Sequence, residues 1–252
     1  LYAYASYGKG FETPTFTEMA YNTDPTKSGM NFALKPASSD NYELGLKSQN
    51  PFGFFTFAVF QTDTENDIVT AGTRDGRATF RNADQTTRQG LELSWQQTIW
   101  KELNIQSSFS YIDAEFDSYT AEIANPNNPT TPYAKAINKG NKIPGIAKNQ
   151  AFTRIAWQPE QGFQAGLEAR YMDKIYVDDI NSDTAPSYTV VAANVGYLWV
   201  NRDWKVNSYA RVDNLFDRNY VGSVIVNDGN SRFFEPADGR NFSVGMSVTK
   251  AF

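Results

Sequence analysis

The sequence predicts an all-β fold, an antiparallel transmembrane β-barrel wall of about ten strands. Three observations predict it. The dominant hydropathy period is two rather than 3.6. Strand-like stretches run for roughly ten residues or more, the length a tilted strand needs to cross a bilayer, whereas soluble strands average about five or six. The connections alternate between short turns and longer polar loops, a parity that barrel ends facing different compartments show and a soluble Greek key has no reason to keep.

Composition narrows the function classes. The 252 residues include no His and no Cys, with 23 basic against 28 acidic residues and a formal net charge of −5. Without His there is no Ser-His or Cys-His catalysis and no imidazole metal ligand. Without Cys there is no disulfide framework, thiolate zinc site or iron–sulfur cluster. Mild acidity gives no reason to expect nucleic-acid binding. No run of about 18 apolar residues encodes a membrane helix. The mean hydropathy of −0.52 fits a barrel, because only alternate strand residues meet lipid while loops and lumen are polar.

The expected strands are 1–10, 38–49, 53–69, 79–97, 103–116, 148–158, 162–178, 187–200, 204–215 and 239–252. Alternation is clearest near the end, where Phe242, Val244, Met246 and Val248 share one face and Asn241, Ser243, Gly245 and Ser247 the other. Short turns fall at Asn50–Gly53, Ile99–Glu102, Pro159–Gly162 and Asn201–Asp203. Longer loops fall at 11–37, 70–78, 117–147, 179–186 and 216–238. One apolar face per strand suits a soluble sandwich as well as a barrel, and large aromatics pack either. Loop parity favours the barrel. So does the aromatic belt of Trp95, Trp157, Tyr197, Trp199 and Trp204 beside the short turns.

Several segments resemble a known family. They are Tyr4-Ala-Ser-Tyr-Gly-Lys-Gly-Phe-Glu-Thr-Pro14, Leu34-Lys-Pro-Ala-Ser-Ser-Asp-Asn-Tyr-Glu-Leu-Gly-Leu-Lys47, Arg81-Asn-Ala83 with Arg88-Gln-Gly-Leu-Glu-Leu93, and Gly140-Asn-Lys-Ile-Pro-Gly145. Val212-Asp-Asn-Leu-Phe-Asp217 follows, then Asn219-Tyr-Val-Gly-Ser223, Pro236, Gly239-Arg-Asn-Phe-Ser-Val-Gly245 and a terminal Phe252. In this order they are similar to the TonB-dependent outer-membrane transporters, siderophore receptors among them. The resemblance implies a 22-stranded barrel plugged by a globular domain, of which residues 1–252 supply the C-terminal wall. The plug, the earlier strands and the TonB-contacting segment are then expected before Leu1. It also implies a Gram-negative outer-membrane location, short turns in the periplasm, Phe252 as a barrel-assembly signal, and no catalytic chemistry or cofactor. The implied partners are the TonB complex, the plug, lipid and a small metal chelate.

The long loops are expected to hold the ligand, since recognition concentrates on loops borne by a rigid scaffold. Candidates are Phe11, Phe16 and Tyr21 in the first, Arg74 and Arg77 in the 70–78 loop, and Tyr220, Arg232 and Phe233 in the last. Aromatics with Arg suit a rigid, aromatic, anionic ligand such as a ferric siderophore. The plain alternative is that they pack loops together. Glu43, Glu92, Glu168, Arg170, Arg211 and Asp213, with Lys47 and Lys205, are expected to face the lumen and the plug, or to pair along a wetted wall. Asp179–Asp183 resembles the start of a calcium loop, but Thr184 and Val190 stand where an EF-hand needs Gly and Glu. Gly8-Lys-Gly10 lacks the spacing of a phosphate loop. The leading function is energy-coupled uptake of a ferric siderophore. Cobalamin, other metal chelates or a quinone are alternative ligands. A passive porin-like channel, a barrel hydrolase and a soluble sandwich are the competing classes.

Overall fold

The structure, a computed structural model, describes residues 1–251 except 25, 26, 28, 75, 126 and 127; at 74, 122–125 and 128–134 it describes the backbone alone. In chain order the strands are β1 (Tyr2–Glu12), β2 (Ala37–Asn50), β3 (Gly53–Arg74), β4 (Arg77–Ile99), β5 (Leu103–Asn125), β6 (Asn128–Ile137), β7 (Asn149–Trp157) and β8 (Gly162–Met172). There follow β9 (Ile175–Tyr176), β10 (Thr184–Ala185), β11 (Tyr188–Asn201), β12 (Trp204–Asp213), β13 (Val221–Val224), β14 (Phe234–Pro236) and β15 (Asn241–Lys250). One short helix, α1 (Phe16–Met19), sits in the first long loop.

The main sheet runs β1-β2-β3-β4-β5-β7-β8-β11-β12-β15, with β6 pairing β5 alone. Every pairing is antiparallel. The result is a meander whose long strands pair in chain order, as the turn–loop parity requires. Two small hairpins, β9–β10 and β13–β14, lie in the loops.

Register turns period-two sequence into two unlike faces. Ile155, Leu167, Ala193, Val212 and Phe242 line up across five strands. One step along, Gly166, Asn194, Arg211 and Ser243 line up on the opposite face. The apolar face is bare: Phe163 is 77% exposed and Val244 81%. Such a face would drive association in water and is solvated by lipid tails. The buried apolar cluster is small and lies at the long-loop end, around Ala83, Ala114, Phe116, Tyr119, Ile137 and Ile143.

At the other end the turns are tight. Gly53 has φ +114, and a Cβ there would strike the Gln96 carbonyl. The Trp95 indole N–H donates to the Phe52 carbonyl at 2.9 Å, and the Trp95 ring stacks on Phe55, so the belt aromatic also ties down the turn.

The long loops depart from expectation. Residues 70–78 are not a loop: β3 and β4 continue to Arg74 and from Arg77 as a projecting hairpin. Within 117–147, β5 runs on to Asn125 and pairs with β6. Hairpin pairing satisfies backbone groups beyond the membrane as well as within it, so hydropathy does not mark where these strands stop. Two expected strands end early. The Asp173 carboxylate accepts from Lys174 N and the Asn149 amide, turning the chain after β8. Asn214, at φ 50, bonds Arg218 through both ends of its carboxamide, closing β12 at Asp213.

The two faces predict opposite responses to charge. Val195→Arg on the lipid face is expected to cost roughly 2–4 kcal/mol. The adjacent Asn194→Arg, on the polar face, should cost much less. Urea unfolding in detergent compares them, and equal losses would contradict the facing.

Candidate functional site

The polar face carries an ordered ionic wall. Arg154 and Glu168 are cross-strand partners on β7 and β8, and their side chains approach to 3.5 Å. From β12, Arg211 donates to both oxygens of Glu168, at 3.2 and 3.0 Å, and through Nε to Asp213 at 2.9 Å. The forked guanidinium thus joins β12 to β8, and Glu168 carries the network on to Arg154 of β7; a Lys point charge does not offer that fork. Farther along the sheet, Tyr4 Oη donates to Glu43 at 2.6 Å and the Lys47 ammonium lies over the Tyr4 ring. A concavity of about 450 Å³ opens between these groups, bordered by Glu92, Ser94, Ser110, Gln150 and Arg170. The six expected lumen residues therefore share the polar face, and the structure joins Glu168, Arg211 and Asp213 directly.

At the long-loop end the β3–β4 hairpin is a post against which both flanking loops pack. The first loop leans on β4, where the Asn31 carboxamide donates to the Phe80 carbonyl and Lys35 N to Asn82. The last leans on β3, where the Asn227 carboxamide donates to the Thr70 carbonyl at 2.7 Å. Inside the post, Arg88 donates to Asp67 at 2.6 Å, and the buried Thr86 hydroxyl donates to the same carboxylate oxygen. The Asp179 carboxyl lies among these loops, 4% exposed. Burial raises it above the ordinary carboxylate range, against the lowering effects of Asn227, Tyr119 and Arg81. The facing Tyr119 phenol is raised too, by burial first and the Asp179 charge second.

The expected ligand residues fall into separate places. Arg77 opens β4, and its guanidinium lies over the Tyr21 ring at 4.9 Å. Tyr220 packs against Tyr188, ring centroids 4.4 Å apart, and Phe233 meets Phe234 edge-on. The Arg232 backbone N–H closes a turn on Asp228. Phe16 begins α1 and is largely exposed, at 81%. Phe11 is in β1 rather than the loop, opposite Ser38 and on the face of Tyr7 and Ala5. Arg74 ends β3 with its side chain outside the described residues, as is Phe252.

The Asp-rich segment is explained without a cation. Asp178 accepts from Ser182 N at 2.8 Å and from its hydroxyl, and Asp179 turns inward. No group of three or more acidic residues capable of holding a metal occurs among the described residues. Reading the sequence missed Tyr188 and Asn227, and singled out Asp179 only as part of a calcium-like segment. Their only signals are an aromatic at a strand start and polar residues inside loops, which are common in solvated loops too.

Comparison with known proteins adds the context. The profile of the family described as "TonB dependent receptor-like, beta-barrel" matches residues 1–215. A probable TonB-dependent siderophore receptor, PiuA of Acinetobacter baumannii, is 25% identical over 86% of this chain and 27% of its own length. The ferrichrome outer membrane transporter/phage receptor of Escherichia coli K12 is 28% identical over 87% and 27%. The crystal structure of the A. baumannii siderophore receptor PiuA superposes with a TM-score of 0.75 at 22% identity, covering 99% of this chain and 34% of that one. The chain thus spans about a quarter to a third of the length of these relatives.

The ionic wall predicts a specific pattern of losses. Arg211→Ala is expected to cost roughly 1–3 kcal/mol, the range for leaving a desolvated partner short of its hydrogen bonds, because Glu168 keeps only Arg154. Arg211→Lys should recover only part, because the fork is lost. Urea midpoints of the full-length protein check both.

Proposed function

Since the chain belongs to the TonB-dependent receptor-like β-barrel family, we propose that it is the C-terminal wall of a plugged transporter that captures a ferric siderophore and passes it inward. The family consists of Gram-negative outer-membrane receptors rather than enzymes, and this chain is an outer-membrane β-barrel protein. The observation that carries the proposal is the family match along 1–215 together with a hydrogen-bonded, charged polar face opposite a bare apolar one.

In the proposed whole protein, β1 and β15 pair with earlier strands, since lipid leaves no partner for an open strand edge. The plug seats against the wall bearing Glu43, Glu92, Glu168, Arg170, Arg211 and Asp213. The long loops face outward and bind the chelate, with Tyr21–Arg77 and Tyr188–Tyr220 as its aromatic and cationic contacts. Loop closure and plug movement then carry the ligand through, driven from the inner membrane through TonB. The steps are conformational, and the preference for one state over another comes from differential ligand affinity.

Siderophore receptors lead among the relatives of long coverage. A vitamin B12 transporter of Vibrio vulnificus is 33% identical, but over only 35% of this chain, so cobalamin is the weaker assignment. Growth under iron limitation, with the full-length protein as the only receptor and a siderophore panel, tests the proposal. Rescue by at least one ferric siderophore is expected; rescue by none rejects that ligand class. Arg77→Ala and Tyr220→Ala should each weaken binding of the active chelate about tenfold, near 1.4 kcal/mol. Unchanged affinity would remove that residue from the contact set.

A further inference from the structure

Five separate chain segments meet at one carboxamide–carboxylate pair, half-buried at Asn227 and buried at Asp179. Asn227, at the tip between β13 and β14, uses its backbone N–H and both ends of its carboxamide. Its backbone N–H donates to the Val177 carbonyl at 2.9 Å. Its side-chain amide donates to the Thr70 carbonyl at 2.7 Å and to Asp179 Oδ1 at 3.0 Å. Its side-chain carbonyl accepts from Asp179 N at 3.1 Å. The Asp179 carbonyl in turn accepts from the Asn141 carboxamide at 2.9 Å. The Asp179 carboxylate faces Tyr119 of β5, which is 3% exposed. Packing at the junction is close: a Cβ on Gly72 would sit 3.1 Å from the Asn227 carbonyl, and one on Gly145 3.2 Å from Val226.

Residues 157 positions apart are thereby held by a single side chain. The surrounding tip is braced internally, since Asp228 accepts from both Asn230 N and Arg232 N. A braced tip pinned at one point moves as a body when that point lets go. We propose that the Asp179–Asn227 pair is a latch, fastening the last long loop to the 173–187 loop and to the β3–β4 post, so that the three open or close together.

The latch responds to protons with a definite sign. Asp179 faces the Arg81 guanidinium from β4, the Tyr119 phenol from β5 and the Asp178 carboxylate of its own loop. The last loop offers the neutral Asn227, β3 the Thr70 carbonyl, and the 138–147 loop the neutral Asn141. Burial outweighs the favourable partners and raises the carboxyl. The fastened state therefore prefers the protonated acid. Its contribution is full below the ordinary carboxylate range and is lost as pH rises through the raised value. An open loop lets the ionised Asp179 reach water, so higher pH favours opening.

Hydrogen exchange on the full-length protein in lipid nanodiscs, without ligand and corrected for intrinsic rates, tests this. Asn227→Ala is expected to speed exchange at least tenfold in residues 70–73, 175–183 and 221–236 together. Asp179→Asn should keep the protection and flatten its dependence between about pH 5 and pH 8. Asn227→Asp, nearly isosteric, provides a second route if the Ala variant does not fold. It sets two carboxylates together and should be open at about pH 8 and refastened near pH 4.5. Acceleration confined to residues 225–229, or wild-type opening that is the same at both ends of the pH range, would overturn the latch. The inference takes from the proposed function only that this end is the outer mouth. The exchange readout needs no ligand, so a failed siderophore assignment and a failed latch are separate results.

Discussion

Backbone hydrogen bonding in a solvent that offers none is the constraint behind this architecture. Lipid cannot satisfy a free N–H or carbonyl, so a membrane-crossing strand must find both neighbours in the sheet. Here each interior long strand does, in chain order from β1 to β15. Once the ladder is fixed, side chains have no freedom over which face they take. The alternation of Leu and Val with Asn, Glu and Arg then becomes a lipid surface and a polar surface, with almost no apolar core between them. The apolar cluster that does exist lies beyond the membrane, where loops instead of lipid cover the inner face.

That division explains what was legible in the residues. The membrane-crossing parts were readable because lipid enforces a strict period. Strand positions for β2, β7 and β11 match expectation within a residue or two at each end, and Glu168, Arg211 and Asp213 meet as the alternation requires. Outside the bilayer that enforcement stops. The 70–78 segment carries Thr, Gly and Arg and reads as a loop, yet pairs as a hairpin, since polar residues on both faces are compatible with a strand that water surrounds. Phe11 was read as the beginning of a loop; the ladder with β2 nevertheless carries β1 to Glu12.

The mouth was less legible still, for a different physical reason. Its key contacts are long-range side chain to backbone bonds, such as Asn227 to Thr70, and no local pattern encodes a partner 157 residues away. Asp179 shows the difficulty well. In the sequence it looks like a solvated or cation-binding acid among Asp178 and Asp183. In the structure Asp178 is used up by Ser182, leaving Asp179 to turn inward, where burial changes both its charge preference and its role.

Wall and mouth are built from the same polar residue types but answer to different rules. On the wall, Arg211 holds Glu168 and Asp213 with a forked guanidinium, and rigid strands set its position. Ion pairs of this kind resist rearrangement, because moving one member strands the others. Where the last loop meets the 173–187 loop and the post, the joints are carboxamides and a single carboxylate, which are individually weak and carry little net charge. A scaffold must keep its diameter while a ligand is held, and loops must give way for it to enter. Charge-paired forks on strands and neutral amide clasps on loops are the two chemistries that separate those demands within one continuous sheet.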